Sequence, residues 1–181
     1  MQEMKANNRI SDFIGAFLRE NEPLLEKIRE EAQKDAVPII RDETAALLRV
    51  CLEMHKPKRI LELGTAVGYS GLFMLYSLGE SAKLSTVENF PERIRKAKEN
   101  FRKSPFSPYI RLLEGDGGEI LHELVKSGEK FDFIFLDAAK AQYPLWLPMI
   151  LELLSPEGIL FAGWSSHGKP FFCGKTAENH S

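Results

Sequence analysis

Four acidic residues, Glu62, Glu88, Asp116 and Asp137, each stand at the end of a short apolar run, and the first of them runs directly into a glycine-bearing turn, "ELGTAVGYS". A carboxylate in such a place can accept hydrogen bonds from hydroxyl and amino groups of a ligand, whereas a carboxylate that opens a helix can equally cap it, and Asp116 fits that second reading as well. Gly64 and Gly68 bracket the turn, where a residue without Cβ lets the backbone come close to a ligand or take positive φ. Their spacing is G-x-x-x-G. It is not the G-x-G-x-x-G of a pyrophosphate clamp and lacks the lysine of an ATP-type phosphate loop, so it favours a ligand with little phosphate.

Positioning these residues is the work of alternating elements. From Pro57 onward the apolar runs "RILELG", "KLSTVE", "IRLLEG", "FDFIFLD" and "GILFAG" are separated by segments of helical period at 68–79, 91–103, 116–127 and 140–154. Parallel strands need crossovers of this length, and the pattern predicts an α/β doubly wound, Rossmann-like fold with one parallel sheet of five strands. In such sheets ligands sit outside the carboxyl ends of the strands, where the four acidic residues fall. Residues 1–55 read as a helical preface: Ile10, Phe13, Ile14, Phe17 and Leu18 recur at helical spacing, as do Leu24, Leu25 and Ile28. Pro38 breaks the pattern near Val37, and Asp42 or a neighbour is expected to cap the helix that follows. The preface is a candidate lid or homodimer element. With the core at 57–162 and a divergent tail at 163–181, the expectation is one domain over 1–181.

Glu88 follows Gly68 by twenty residues at the end of the second run, where an acidic side chain can hold two ribose hydroxyls. A nucleoside with a sulfonium and an amino-acid end in place of a pyrophosphate fits the set, namely S-adenosylmethionine. Glu62 would orient the turn and the amino group, Tyr69 or Ser70 would meet the carboxylate near a helix N-terminus, and Asp116 with the Gly117 backbone would receive the adenine amino group.

The stretches "ILELGTAVGYSG", "VEN", "LLEGDG" and "FDFIFLDAAKAQY", in this order and spacing, resemble the metal-dependent O-methyltransferases that include the catechol and caffeoyl-CoA enzymes. "VPII" adds a likeness to a bacterial branch acting on 5-hydroxyuridine in tRNA, and the likeness runs from about Ala36 to Ala162. The resemblance implies a divalent cation, usually magnesium, held by Asp137, and a base, Lys140, three residues on; helix capping for Asp137 and a solvated surface for Lys140 are the alternatives. The acceptor it implies is a hydroxyl of tRNA 5-hydroxyuridine or of a catechol-like small molecule. Where the family continues into an aspartate-asparagine pair that completes the metal site, this chain has Gly163 and Trp164, whose side chains offer no carboxylate or amide oxygen. The cation would keep Asp137 alone from the usual protein set, and an enzymatically silent cofactor-binding protein is the competing expectation. A nicotinamide-dependent oxidoreductase is disfavoured by the absent G-x-G-x-x-G.

The remaining chain bounds these readings. A formal net charge of −2 gives no general pull toward nucleic acid, so "PERIRKAKENFRK", with Arg93, Arg95, Lys96, Lys98, Arg102 and Lys103, is either a solvated helix face or a local phosphate-binding patch. Cys51 and Cys173 have no partner spacing for zinc, and His55, His122, His167 and His180 are assigned no chemistry. Without a signal-peptide core or a spanning run, a cytoplasmic protein with no membrane partner is expected. Trp146 and Tyr143, in "QYPLWLPMI", are either acceptor-pocket walls or aromatics packed on the sheet. The tail has no apolar period, and the sheet edge beside the fifth strand is expected to lie uncovered.

Overall fold

The computed structural model describes residues 22–138, 140–162 and 171–174, the last four and Lys140 by their backbone. The expected helix around Ile10–Leu18, and Gly163, Trp164, His167 and His180, lie outside the described residues.

Strands β1 (Arg59–Leu63), β2 (Lys83–Glu88), β3 (Ile110–Glu114), β4 (Phe131–Leu136) and β5 (Leu154–Ala162) form the parallel sheet that the sequence predicts. Strand order is β3-β2-β1-β4-β5-β6, with β6 (Phe171–Gly174) antiparallel to β5. This corrects the expected bare edge beside the fifth strand: Phe171 to Gly174 pair with Ala162 to Ile159 and supply the β5 edge with hydrogen-bonding partners. Four residues are too few for a period to register in the sequence. β5 also begins earlier than "GILFAG", because a register shift between Phe131 and Phe133 lets Leu154 pair with Phe131.

Among the described residues two helices precede the sheet, α1 (Pro23–Lys34) and α2 (Asp42–His55), and four cross over between strands: α3 (Tyr69–Leu78), α4 (Pro91–Lys103), α5 (Gly117–Lys126) and α6 (Tyr143–Leu153). Alternation along each strand splits the core into two layers. Ile60, Phe133, Phe135 and Phe161 pack with α1, α2, α3 and α4, while Leu61, Leu63, Ile134, Leu136 and Leu160 pack with α5 and α6. The strands are therefore covered on both faces, which explains why β1 reads as a nearly unbroken apolar run. Glu62 points into the first layer, toward α3.

Of the cap candidates Asp42 and its neighbours, Arg41 holds the cap position of α2, without a side-chain cap, and Asp42, the first residue of the helix, pairs with Arg29 of α1 at 2.6 Å. His55 also has a partner, its Nε2 lying 3.1 Å from the Asp132 carbonyl oxygen. Cys51 is a buried free thiol, and no described helix is long and apolar enough to cross a membrane.

Candidate active site

The sheet reverses its winding at β1, whose neighbours β2 and β4 lead to opposite edges, and a cavity of about 630 Å³ opens at the carboxyl ends of the strands there. Its floor is the glycine turn. Gly64 and Gly68 have φ of +104° and +83°, and Ala66 between them also adopts a left-handed conformation, at +47°. A Cβ on Gly64 would stand 2.6 Å from the Asp137 carbonyl oxygen, and one on Gly68 2.5 Å from the Phe101 ring. Packing as well as φ thus reserves both positions for glycine. From α4, Asn100 Nδ2 donates to the Val67 carbonyl at 2.9 Å and ties the far side of the turn down.

Glu88 braces the turn from β2. Its Oε2 accepts from the Ala66 N–H at 2.8 Å, and its Oε1 accepts from the N–H groups of Asn89 and Phe90 at 3.1 and 3.0 Å. Three backbone donors fix one carboxylate, which is nearly buried and lines the cavity. The left-handed Ala66 is explained by this bond, a feature with no mark in the sequence.

Glu62 lies elsewhere than the sequence reading put it: it does not line the cavity. Fully buried beneath it, the carboxylate accepts from Ser70 Oγ at 2.5 Å and from Thr86 Oγ1 at 2.6 Å, and Thr65 Oγ1 lies 2.6 Å from Thr86 Oγ1. Burial pushes its pKa up to about 7, against the two hydroxyl hydrogen bonds that favour the charged form. Ser70 and Thr65 face the cavity, so Glu62 reaches it only through the hydroxyls that it orients. Tyr69 lines the cavity as the first residue of α3, but its hydroxyl is taken by Arg29 Nη2 at 2.5 Å.

After β3, the strand beside β2, Asp116 is the N-cap of α5, its Oδ1 accepting from Gly118 and Glu119 N–H at 2.8 and 3.1 Å, so the capping alternative holds while the residue still lines the cavity. Gly117 is covered by Trp146, whose indole edge would lie 2.7 Å from a Cβ there. Trp146 is half-buried, packs against the core layer of α5 and α6, and forms part of the cavity wall.

Asp137 follows β4 and its N–H donates to the Leu63 carbonyl at 3.0 Å, which carries the sheet bonding one step beyond the strands. It caps no long helix, since α6 has Gln142 at its cap position. Its side chain opens onto the cavity, and the protein around the carboxyl raises its pKa to about 6. Tyr143 stands beside it, donating to the Leu136 carbonyl at 3.0 Å, with its own pKa pushed to about 12 by burial and then by the Asp137 charge. Lys140 opens a 3-10 turn over Lys140–Gln142, and its side chain lies outside the described set. Among the described residues no group of three His, Cys, Asp or Glu side chains is placed to hold a metal ion.

The opposite wall, Pro38–Arg41, joins α1 to α2, and Asn89, Arg93 and Gln142 complete the rim. Sequence reasoning assigned none of these to the site; "VPII" alone drew notice, as a family likeness.

A family model described as O-methyltransferase matches residues 17–165. A catechol O-methyltransferase of Niastella koreensis is 30% identical over 155 residues, covering 84% of this chain and 69% of that protein. A Mycobacteroides abscessus protein, provisionally named an O-methyltransferase, is 33% identical over 143 residues, covering 78% of this chain and 66% of its own. Among solved structures, the SAH-bound methyltransferase PaMTH1 of Podospora anserina superposes with a TM-score of 0.79 at 27% identity, over 87% of this chain and 69% of that one. The chain spans 58–66% of the length of the mycobacterial relatives it matches. With most of its length matched by the family model and its sheet, glycine turn and cavity arranged as described, this chain belongs to the O-methyltransferase family.

Proposed function

We propose that the protein is an S-adenosylmethionine-dependent O-methyltransferase acting on an acidic hydroxyl. The observation that carries this reading is the Glu88 carboxylate, pinned by three backbone N–H groups in the cavity wall at the end of β2, with the glycine turn after β1 on one side of it and Asp116 after β3 on the other. The donor set fits a nucleoside with an amino-acid end. Glu88 Oε2 has a lone pair left for a ribose hydroxyl, both capping bonds at Asp116 use Oδ1, and Trp146 offers an apolar edge beside Gly117. The start of α3, with Ser70 and the Tyr69 backbone, suits a carboxylate. When bound, the cofactor supplies an electrophilic methyl carbon on a positively charged sulfur.

The chain's own part is to fix geometry and take a proton. Asp137, beside the cavity floor, would orient the acceptor hydroxyl, and Lys140, as a neutral amine, would take its proton. Magnesium is a different matter. Asp137 alone of the implied ligand set offers a side-chain oxygen, so the residues present do not fit the implied metal site, and no step is assigned to a cation.

The acceptor that this reading supports first is a catechol-like phenol, because the basic helix is less free than its sequence suggests. Arg95 pairs with Glu99 at 2.7 Å, Lys96 with Glu31 at 2.8 Å and Lys98 with Glu114 at 2.6 Å. Hydroxyuridine in tRNA is the second reading, favoured by Arg41 and Arg93 at the cavity rim, where phosphates would pass. The test is transfer of a labelled methyl group to catechol and to tRNA carrying 5-hydroxyuridine, each with magnesium and with a chelator. Label in either acceptor supports the enzyme reading and names the acceptor class. Label in neither, from a chain that still binds S-adenosylhomocysteine, would establish the silent cofactor-binding protein instead.

The wider reading is of one cytoplasmic domain over 1–181 that pairs with a second copy through the preface, where α2 leaves Leu47, Val50 and Met54 exposed. A monomer mass in sedimentation equilibrium would remove the dimer.

A further inference from the structure

Besides lining the cavity directly at Pro38–Arg41, the preface reaches the site through Arg29. Arg29, half-buried on α1, donates from Nη1 to Asp42 Oδ1 at 2.6 Å and from Nη2 to Tyr69 Oη at 2.5 Å. Asp42 is the first residue of α2 and follows directly on the cavity wall Pro38–Arg41, while Tyr69 is the first residue of α3 and follows directly on the glycine turn. One guanidinium thus joins the residues that directly follow two chain segments lining the cavity. The wall has no other regular structure to define its position: it leaves α1 through Ala36, which has a φ of +53°, and is anchored in the core by Ile40.

Stability alone accounts poorly for this arrangement. A cation set against the N-terminal turns of two helices opposes both helix dipoles, which Asp42 and the Tyr69 ring, 5.2 Å from the guanidinium, offset. The Arg29 Nε is buried without a hydrogen-bond partner, a cost that an apolar residue of similar length would avoid. Arginine is suited to the place in one specific respect, because its planar fork reaches a carboxylate and a phenol at once in fixed directions, which a lysine ammonium on a flexible stem does not.

We infer that Arg29 is a positioning residue that holds the Pro38–Arg41 wall and the Gly64–Tyr69 turn in one mutual arrangement, so that α1 presets the cofactor cavity. The ligand half of this inference rests on the cofactor reading above. Arg29 touches no ligand itself and acts through Tyr69 and Asp42.

The test compares wild type with Arg29→Lys and Arg29→Met. Amide hydrogen exchange on the ligand-free proteins reads residues 39–42 and 64–70 against the β4 core, and calorimetry reads the affinity for S-adenosylhomocysteine. Exchange is expected to quicken in both segments together, with β4 unchanged. Affinity is expected to fall about tenfold in both variants, lysine failing to rescue, and Tyr69→Phe added to Arg29→Lys should cost little more because the two residues act as a pair. Exchange that rises in one segment only, in neither, or across the whole chain would overturn the inference. So would an affinity within about twofold of wild type in variants whose two segments have loosened. Absence of binding by wild type would remove the cofactor reading and the ligand half with it, and exchange would then decide the coupling of the two segments independently.

Discussion

At the scale of single residues, the site divides into groups that meet the cavity and groups that act from behind it. Glu62 is the clearest of the second kind. Its pKa is raised from 4.5 to about 7 in the fold, so between these values the native protein binds more protons than the unfolded chain. Stability from this group is therefore greatest below pH about 4.5 and falls as pH rises to about 7, by roughly 3 kcal/mol at most. Urea unfolding of wild type and Glu62→Gln at pH 5 and pH 8 should show a pH-dependent loss in wild type that the variant lacks; parallel profiles would contradict the buried network. In front of the cavity, Lys140→Ala should lower the rate of methyl transfer with little change in affinity for S-adenosylhomocysteine. Glu88→Ala should weaken that affinity by roughly 1 to 3 kcal/mol and also lower the melting temperature, since three N–H groups lose their acceptor. Equal rates for Lys140→Ala and wild type would remove the base. Glu88 and Asp137 were legible in sequence because each ends an apolar run. The braces at Thr86 and Asn100 were not, because a buried hydrogen bond to a distant element leaves no periodic trace.

At the scale of elements, the turn between β1 and α3 is held by contacts from three others: Asp137 after β4, Glu88 at the end of β2, and Asn100 and Phe101 on α4. Gly64→Ala should be the more damaging of two substitutions, costing roughly 2 kcal/mol or more, because its Cβ would meet backbone that cannot turn aside. Gly68→Ala meets a ring edge that can shift, and its cost should be smaller. Chemical unfolding of the two variants checks the order, and the reverse order would mean that the Asp137 backbone yields. The alternation of strands and helices was readable because both faces of the sheet are covered, so each strand announces itself as an apolar run. β6 escaped notice since its place comes from pairing with β5 and not from any pattern of its own, and of the cap candidates Asp42 and its neighbours it is Arg41 that holds the position, the Asp42 carboxylate serving Arg29 instead.

At the scale of the whole molecule, the sheet, the turn and the preface converge on one cavity, and the family match runs through all of them from residue 17 to residue 165. Metal chemistry was the part of the resemblance least supported by this chain's own donors, as Gly163 and Trp164 already indicated in the sequence. The cofactor half stands on more: Glu88, the turn with Ser70, Asp116 and Trp146 are brought to one place from four separate stretches of chain. Calorimetric titration of the 181-residue protein with S-adenosylhomocysteine, with NAD as the control ligand, therefore tests the central claim most directly. Saturable binding of S-adenosylhomocysteine with none of NAD is the predicted result. Binding of NAD alone, or of neither ligand, would contradict the assignment of this cavity to a sulfonium nucleoside.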